Sequence, residues 1–188
     1  MGSIEFFGVP VSEGDPKDKL RDLFRGVRVV IMDVDGVLTD GKISFSESGE
    51  EIRSFSARDR VAIKEAVARG LKFAVISDRE SKATMRWLTE IGVTDVYMGV
   101  ANKLDAYDEI KLRCGVQDEE CAYIGDDIDD IPVFERVGLS ITPISGIEYL
   151  RHRVQYVSGY EGGNGCVREI IEMVLSLQDK WEYFDQPE

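Results

Sequence analysis

Asp33, Asp35, Ser77, Lys103 and Asp126 are the residues of this 188-residue sequence whose types and order could do chemistry. Carboxylates beside a lysine and a hydroxyl suit a divalent cation together with a phosphate. Mg²⁺ takes one or two carboxylates and otherwise keeps waters or substrate oxygens. Asp33 and Asp126 would hold such an ion, which would also neutralise the repulsion between them. An aspartate attacking phosphorus forms an aspartyl-phosphate and divides one hard displacement into two easier ones. The leaving alkoxide then needs a proton, and the hydrolytic water must later lose one. Asp35 can serve as acid in the first half and base in the second. Ser77 and Lys103 would bind the phosphoryl oxygens, where charge must be stabilised.

Other chemistries are excluded by what the chain lacks. His152 is its one histidine, which removes most zinc hydrolases and histidine-based triads. Cys114, Cys121 and Cys166 form no C-x-x-C, so neither a thiolate zinc site nor a disulfide framework is supported. An EF-hand reading of residues 33–41 fails at Val37 and Leu38, and Gly163-Asn164-Gly165 lacks the third glycine of a dinucleotide loop. A net charge of −13 argues against nucleic acid or anionic membrane as a partner. No apolar run approaches the roughly 20 residues that span a bilayer. The N-terminus carries neither a signal pattern nor, with Phe6 at the required Ser/Thr position, a myristoylation site. These features predict a cytoplasmic protein.

For the five residues to meet, the chain must bring distant segments to one edge. Residues 1–16 read as an irregular arm, 17–181 as one domain and 182–188 as a tail. Within the domain, apolar runs at 27–32, 72–76, 96–98, 121–124, 139–142 and 154–157 read as strands. Helical stretches at 59–69, 81–91, 103–114, 131–136 and 166–177 separate most of them, several ended by glycine. Residues 42–46 and 52–56 read as a hairpin around Ser48-Gly49. Such alternation predicts an α/β fold, a parallel sheet with helices on both faces. Ligands in these sheets sit outside the carboxyl ends of the strands. Asp33-Val34-Asp35, Ser77-Asp78-Arg79 and the acidic run at 126–130 each follow a strand directly, and Lys103 opens a helix.

DVDGVLTDG at 33–41, with Ser77, Lys103 and GDDIDD at 125–130, resembles the haloacid dehalogenase superfamily of phosphatases. Gly49-Glu50-Glu51, Phe55, Arg58-Asp59, VGLSITP at 137–143 and GGNGCVREI at 162–170 extend the likeness from about residue 24 to 181. They point to the phosphatases of 3-deoxy-D-manno-octulosonate (KDO) 8-phosphate, which belong to lipopolysaccharide precursor synthesis. The resemblance implies Asp33 as nucleophile and metal ligand, Asp35 as acid/base with its carbonyl on Mg²⁺, and Asp126 as the remaining ligand. Asp130 would support the metal ligands from behind, and Ser77 and Lys103 would bind phosphate. Ser56, Ala57, Arg58, Asp59, Arg60, Lys64 and Arg79, with Asp35, fall where the family contacts its sugar acid. Three positions depart from the family's usual pattern: Arg60 and Asp78 each replace a glycine, and Asp129 replaces an asparagine.

Between the first and second motifs lie only a hairpin and a helix, and between the second and third little more, so neither gap can hold a cap domain. An isolated hairpin is marginally stable in water. Ile43, Phe45, Ile52 and Phe55 therefore need another surface, either the chain's own core or a neighbouring subunit. The resemblance implies a homotetramer whose hairpins and C-terminal tails close neighbouring sites. Alternative functions are a phosphatase of another nonulosonate, such as a sialic-acid-type 9-phosphate, or a broad sugar-phosphate enzyme. From different classes come a phospho-acceptor signalling module and a non-catalytic subunit.

Overall fold

The computed structural model describes residues 5–6, 9–10 and 16–182. Of the expected arm, it holds a short antiparallel pair, β1 (Glu5–Phe6) and β2 (Val9–Pro10). The expected tail lies outside the described residues after Glu182. Next come α1 (Pro16–Gly26), β3 (Val29–Met32), β4 (Ser44–Phe45), β5 (Glu51–Ile52) and α2 (Ala57–Ala68). They are followed by β6 (Lys72–Ser77), α3 (Lys82–Glu90), β7 (Asp95–Met98), α4 (Lys103–Cys114) and β8 (Cys121–Ile124). The chain continues through α5 (Ile131–Phe134), β9 (Leu139–Thr142), α6 (Glu148–Arg151), β10 (Tyr156–Val157) and α7 (Cys166–Leu177).

Six strands form one parallel sheet in the order β10-β9-β8-β3-β6-β7, with β3 at its centre. All four residues of β3 are buried, as a strand covered on both faces requires. Successive side chains alternate between two apolar layers. Val30 and Met32 pack with α1, α2, α3 and α7, whereas Val29 and Ile31 pack with α4 and α5. This fully apolar centre fixes the register of β3 between β6 and β8. The residues that follow these strands are thereby held at a common edge.

Four elements have the expected bounds: α4, β8, β9 and α7. The first expected strand starts two residues late, because the Val27 amide bonds back to Phe24 at the end of α1. The hairpin is shorter than its pattern, since Ser56 accepts a hydrogen bond from the Asp59 amide and caps α2. The helix α6 lies in a stretch without apolar periodicity and was not expected. Phe55 meets its own core by stacking on Trp87, with ring centroids 4.4 Å apart. Ile43, Phe45 and Ile52 stay exposed, at 52%, 64% and 52%. No helix among the described residues is long and apolar enough to cross a membrane.

Candidate active site

Asp33 continues directly from β3, and its amide is held 2.9 Å from the Ile124 carbonyl of β8. Ser77 ends β6, and Lys103 opens α4 behind an Asn102 cap that accepts from the Leu104 amide. Asp126 and Asp130 follow β8. The sheet edge gathers these groups as the sequence predicts.

Lys103 organises the centre. Its Nζ lies 3.0 Å from Asp33 Oδ2, 2.8 Å from Asp129 Oδ2 and 2.7 Å from Asp130 Oδ1, with its side chain 3% exposed. Asp130 is fully occupied. Its Oδ1 accepts from Lys103 and from the Tyr123 hydroxyl at 2.6 Å, and its Oδ2 accepts from the Asp126 and Asp127 amides. A carboxylate offers about four acceptor sites, so Asp130 has none to spare. Carboxylate oxygens of Asp33, Asp126 and Asp130 lie within 4.8 Å of one another, close enough for one cation. With Asp130 saturated, Asp33 and Asp126 are the pair free to ligate a divalent ion, and Asp130 fits the supporting position behind them.

Two glycines make room for this cluster. A Cβ on Gly36 would stand 1.9 Å from Asp126 Oδ2, and φ there is +82°. A Cβ on Gly162 would stand 1.7 Å from the Gly36 carbonyl oxygen. The Gly163 amide donates to the Val37 carbonyl at 2.8 Å. The glycine-rich stretch at 159–165 thus seats the loop after β3 and serves close packing.

Burial pushes the Asp126 carboxyl up to about 7, reinforced by Asp130 and Asp127 and opposed by Lys103. Burial likewise raises Asp33 well above the ordinary carboxylate value, with Asp130 adding repulsion and Lys103 acting against it. For Lys103, burial favours the neutral amine, yet Asp33 and Asp130 outweigh it and raise the pKa above the usual lysine value. Raised carboxyls favour the folded metal-free protein below their unfolded pKa near 3.8, and that contribution fades as pH rises through about 7. A divalent cation held by the ionised pair would offset this loss. The gain in Tm on adding Mg²⁺ should therefore be larger at about pH 8 than at about pH 5. Equal gains in thermal melts at both values would show that these carboxyls do not hold the ion.

A cavity of about 400 Å³ opens over the cluster, lined among others by Asp33, Asp35, Asp78, Arg79 and Asp126. Asp35 Oδ1 lies 2.8 Å from Arg53 Nη1 and accepts from the Thr39 hydroxyl at 3.4 Å. Glu51 joins this group, with Oε1 2.6 Å from Arg53 Nε and Oε2 2.9 Å from Arg79 Nη2. Arg53, Glu51 and Thr39 were not singled out as site residues in the sequence. The available signal was weak: Glu51 and Arg53 alternate on one side of the hairpin exit.

Of the eight residues expected at the sugar acid, Asp35 and Arg79 line this cavity. The others do not. Ser56 is spent as the cap of α2, and Ala57, Arg60 and Lys64 are exposed on that helix. Arg58 lines a separate hollow with Tyr160, Arg168 and Glu172. Asp59 is 1% exposed and accepts from the amides of Gly165 at 3.2 Å and Arg168 at 2.8 Å. It caps the start of α7 and joins α2 to that helix, a structural use of a carboxylate that sequence order cannot distinguish from ligand binding.

Residues 89–170 match the model for haloacid dehalogenase-like hydrolases. The chain is 38% identical over 154 residues to the 3-deoxy-D-manno-octulosonate 8-phosphate phosphatase of Escherichia coli, covering 82% of each. A crystal structure of the Yersinia pestis enzyme of that name superposes with a TM-score of 0.88 at 34% identity, covering 96% of this chain and 95% of the other. The Moraxella catarrhalis enzyme of that name, solved with a magnesium ion, a phosphate ion and a KDO molecule, gives 0.83 at 31% identity, covering 86% and 93%.

Proposed function

Since the chain belongs to the 3-deoxy-D-manno-octulosonate 8-phosphate phosphatases of the haloacid dehalogenase-like hydrolases, we propose how its own residues carry out that reaction. The reaction is the Mg²⁺-dependent hydrolysis of KDO 8-phosphate to KDO and phosphate. The observation that carries the residue roles is Lys103 bridging Asp33, Asp129 and Asp130 at the carboxyl edge of the sheet.

Asp33 Oδ2, beside Lys103, is the nucleophile, while its Oδ1 accepts from the Val34 amide at 2.6 Å and so fixes the carboxylate. Attack on phosphorus forms the Asp33–phosphate bond and breaks the bond to the sugar oxygen. Asp35 donates a proton to that leaving oxygen, then takes one from the water that attacks the aspartyl-phosphate. Lys103 and Ser77 bind the phosphoryl oxygens as charge develops on them. Asp33, the Asp35 carbonyl and Asp126 would hold Mg²⁺, with Asp130 fixing Asp126 through its backbone amide. When bound, the ion would supply charge stabilisation to the phosphoryl group. Three free thiols suit the reducing cytoplasm, where we place the reaction.

The carboxylate of the sugar acid needs its own cation, and arginine's planar fork fits it. Arg79 is the cavity's arginine, 32% exposed in its side chain and close to Asp35's neighbours. Arg79→Ala should lower kcat/KM for KDO 8-phosphate much more than for p-nitrophenyl phosphate, which has no carboxylate. A sialic-acid-type 9-phosphate and hexose phosphates, assayed beside them, test the substrate assignment directly. Turnover of a hexose phosphate as fast as KDO 8-phosphate would favour the broad sugar-phosphate reading.

The exposed Ile43, Phe45 and Ile52 of the hairpin support a homotetramer in which a neighbouring subunit covers them. Ile43 also lines the cavity, so that contact would close the site. Light scattering should give four times the chain mass. A monomer mass would overturn the assembly.

A further inference from the structure

We infer that Arg53 is a positioning residue: it anchors one oxygen of Asp35 so that the other can carry the proton, and Glu51 ties that anchor to Arg79. The inference rests on Asp35 being the acid/base. Its basis is the asymmetry of the Asp35 carboxylate. Oδ1 is held by Arg53 and by Thr39, whereas the buried Oδ2 makes no hydrogen bond among the described residues. A carboxyl group that moves a proton needs one oxygen free and the whole group fixed in direction. A guanidinium on the opposite oxygen fixes that direction and leaves Oδ2 without a competing donor.

The anchor is itself well held. The Arg53 side chain is 4% exposed, and Nε and Nη1 engage two different carboxylates, Glu51 and Asp35. Such charge-assisted contacts, made by a rigid fork, are stronger and more directional than neutral ones. Glu51 uses its second oxygen on Arg79. An unbroken line of charges, Arg79–Glu51–Arg53–Asp35, thus joins the loop after β6 to the loop after β3 through the hairpin. Of the hairpin's apolar side chains, Phe45 and Ile52 are exposed, Ile43 lines the cavity and Phe55 stacks on Trp87, and none of them partners Asp35. The hairpin's contact with Asp35 is ionic and is made by Arg53.

Leaving groups separate positioning from mere folding. The sugar alkoxide needs a proton as it departs, whereas p-nitrophenolate leaves without one. First-turnover release of the leaving group should be measured with the Mg²⁺-loaded protein on KDO 8-phosphate and on p-nitrophenyl phosphate. Arg53→Met should slow release of KDO by about 10²-fold and release of p-nitrophenolate by about tenfold less than that. The loss should lie in kcat, with KM changed by less than about threefold, and Arg53→Lys should restore most of it by keeping a cation near Asp35. Glu51→Gln should act in the same direction more weakly, and with Arg53→Lys it carries the test if Arg53→Met does not fold. Equal losses on both substrates, or no recovery with Lys, would overturn the role of Arg53. Asp35→Asn, run in parallel, should show the same preference between substrates. If it shows none, the acid/base assignment fails and this inference with it. A selective Asp35→Asn beside a non-selective Arg53→Met overturns the Arg53 role alone.

Discussion

Asp33→Asn should reduce phosphate release by about 10⁴- to 10⁶-fold, the scale lost when a covalent nucleophile is removed, while the fold survives. The substitution is close to isosteric. The Asn carbonyl can still accept from the Val34 amide, which now holds Asp33 Oδ1. Lys103 keeps Asp129 and Asp130 as partners. The charge removed is one whose ionised form burial already disfavours. Metal-free Asp33→Asn should therefore melt at or above the wild-type temperature near pH 8, even as turnover vanishes. Two measurements check this: phosphate release under Mg²⁺, and acid-quench trapping of an aspartyl-phosphate, which should be absent. An Asp33→Asn enzyme retaining more than about one per cent of Mg²⁺-dependent turnover would sink the covalent mechanism.

Lys103→Ala should lower kcat/KM by about 10²- to 10³-fold through lost stabilisation of phosphoryl charge. It should also cost stability, in contrast to Asp33→Asn. Lys103 is the cation that faces Asp33, Asp129 and Asp130, two of them nearly fully buried. Removing one partner from a buried ionic cluster costs about 3–5 kcal/mol, because the remaining charges are left uncompensated. The sign of the pH dependence follows. Without Lys103 the folded Asp33 and Asp126 carboxyls, which it now pulls down, rise further above their unfolded pKa, so the deficit grows as pH rises and shrinks as they take up protons. The Tm difference from wild type should be largest near pH 8, small near pH 5, and partly recovered by Mg²⁺. A pH-independent difference would mean that Lys103 contributes packing alone.

The two variants divide the site into a group that reacts and a group that makes the reacting charges tolerable. The sequence offered both residues through the same rule, because each follows or faces a strand end. It offered no means to tell that Asp130 is saturated by four donors or that Asp59 is spent on α7. Those distinctions depend on where amides point, and an aspartate ahead of a helix reads the same in either use.

The frame and its edge were legible in the residue pattern alone. Short apolar runs read as strands of a parallel sheet, and the amphipathic stretches between them as the helices that cross over. Asp33 after β3, Ser77 at the end of β6, Lys103 behind its Asn102 cap and Asp126 after β8 were then bound to meet. Each sits within a residue or two of an element end that short-range periodicity locates. The polar contacts across the edge came into view with the packed chain. Arg53 meets Asp35 across 18 residues, Lys103 meets Asp130 across 27, and Asp59 meets the Gly165 amide across 106. No local pattern encodes such pairings. They arise because the packed sheet and helices leave a few buried polar atoms facing one another, and each must find a partner there or bear the cost of burial.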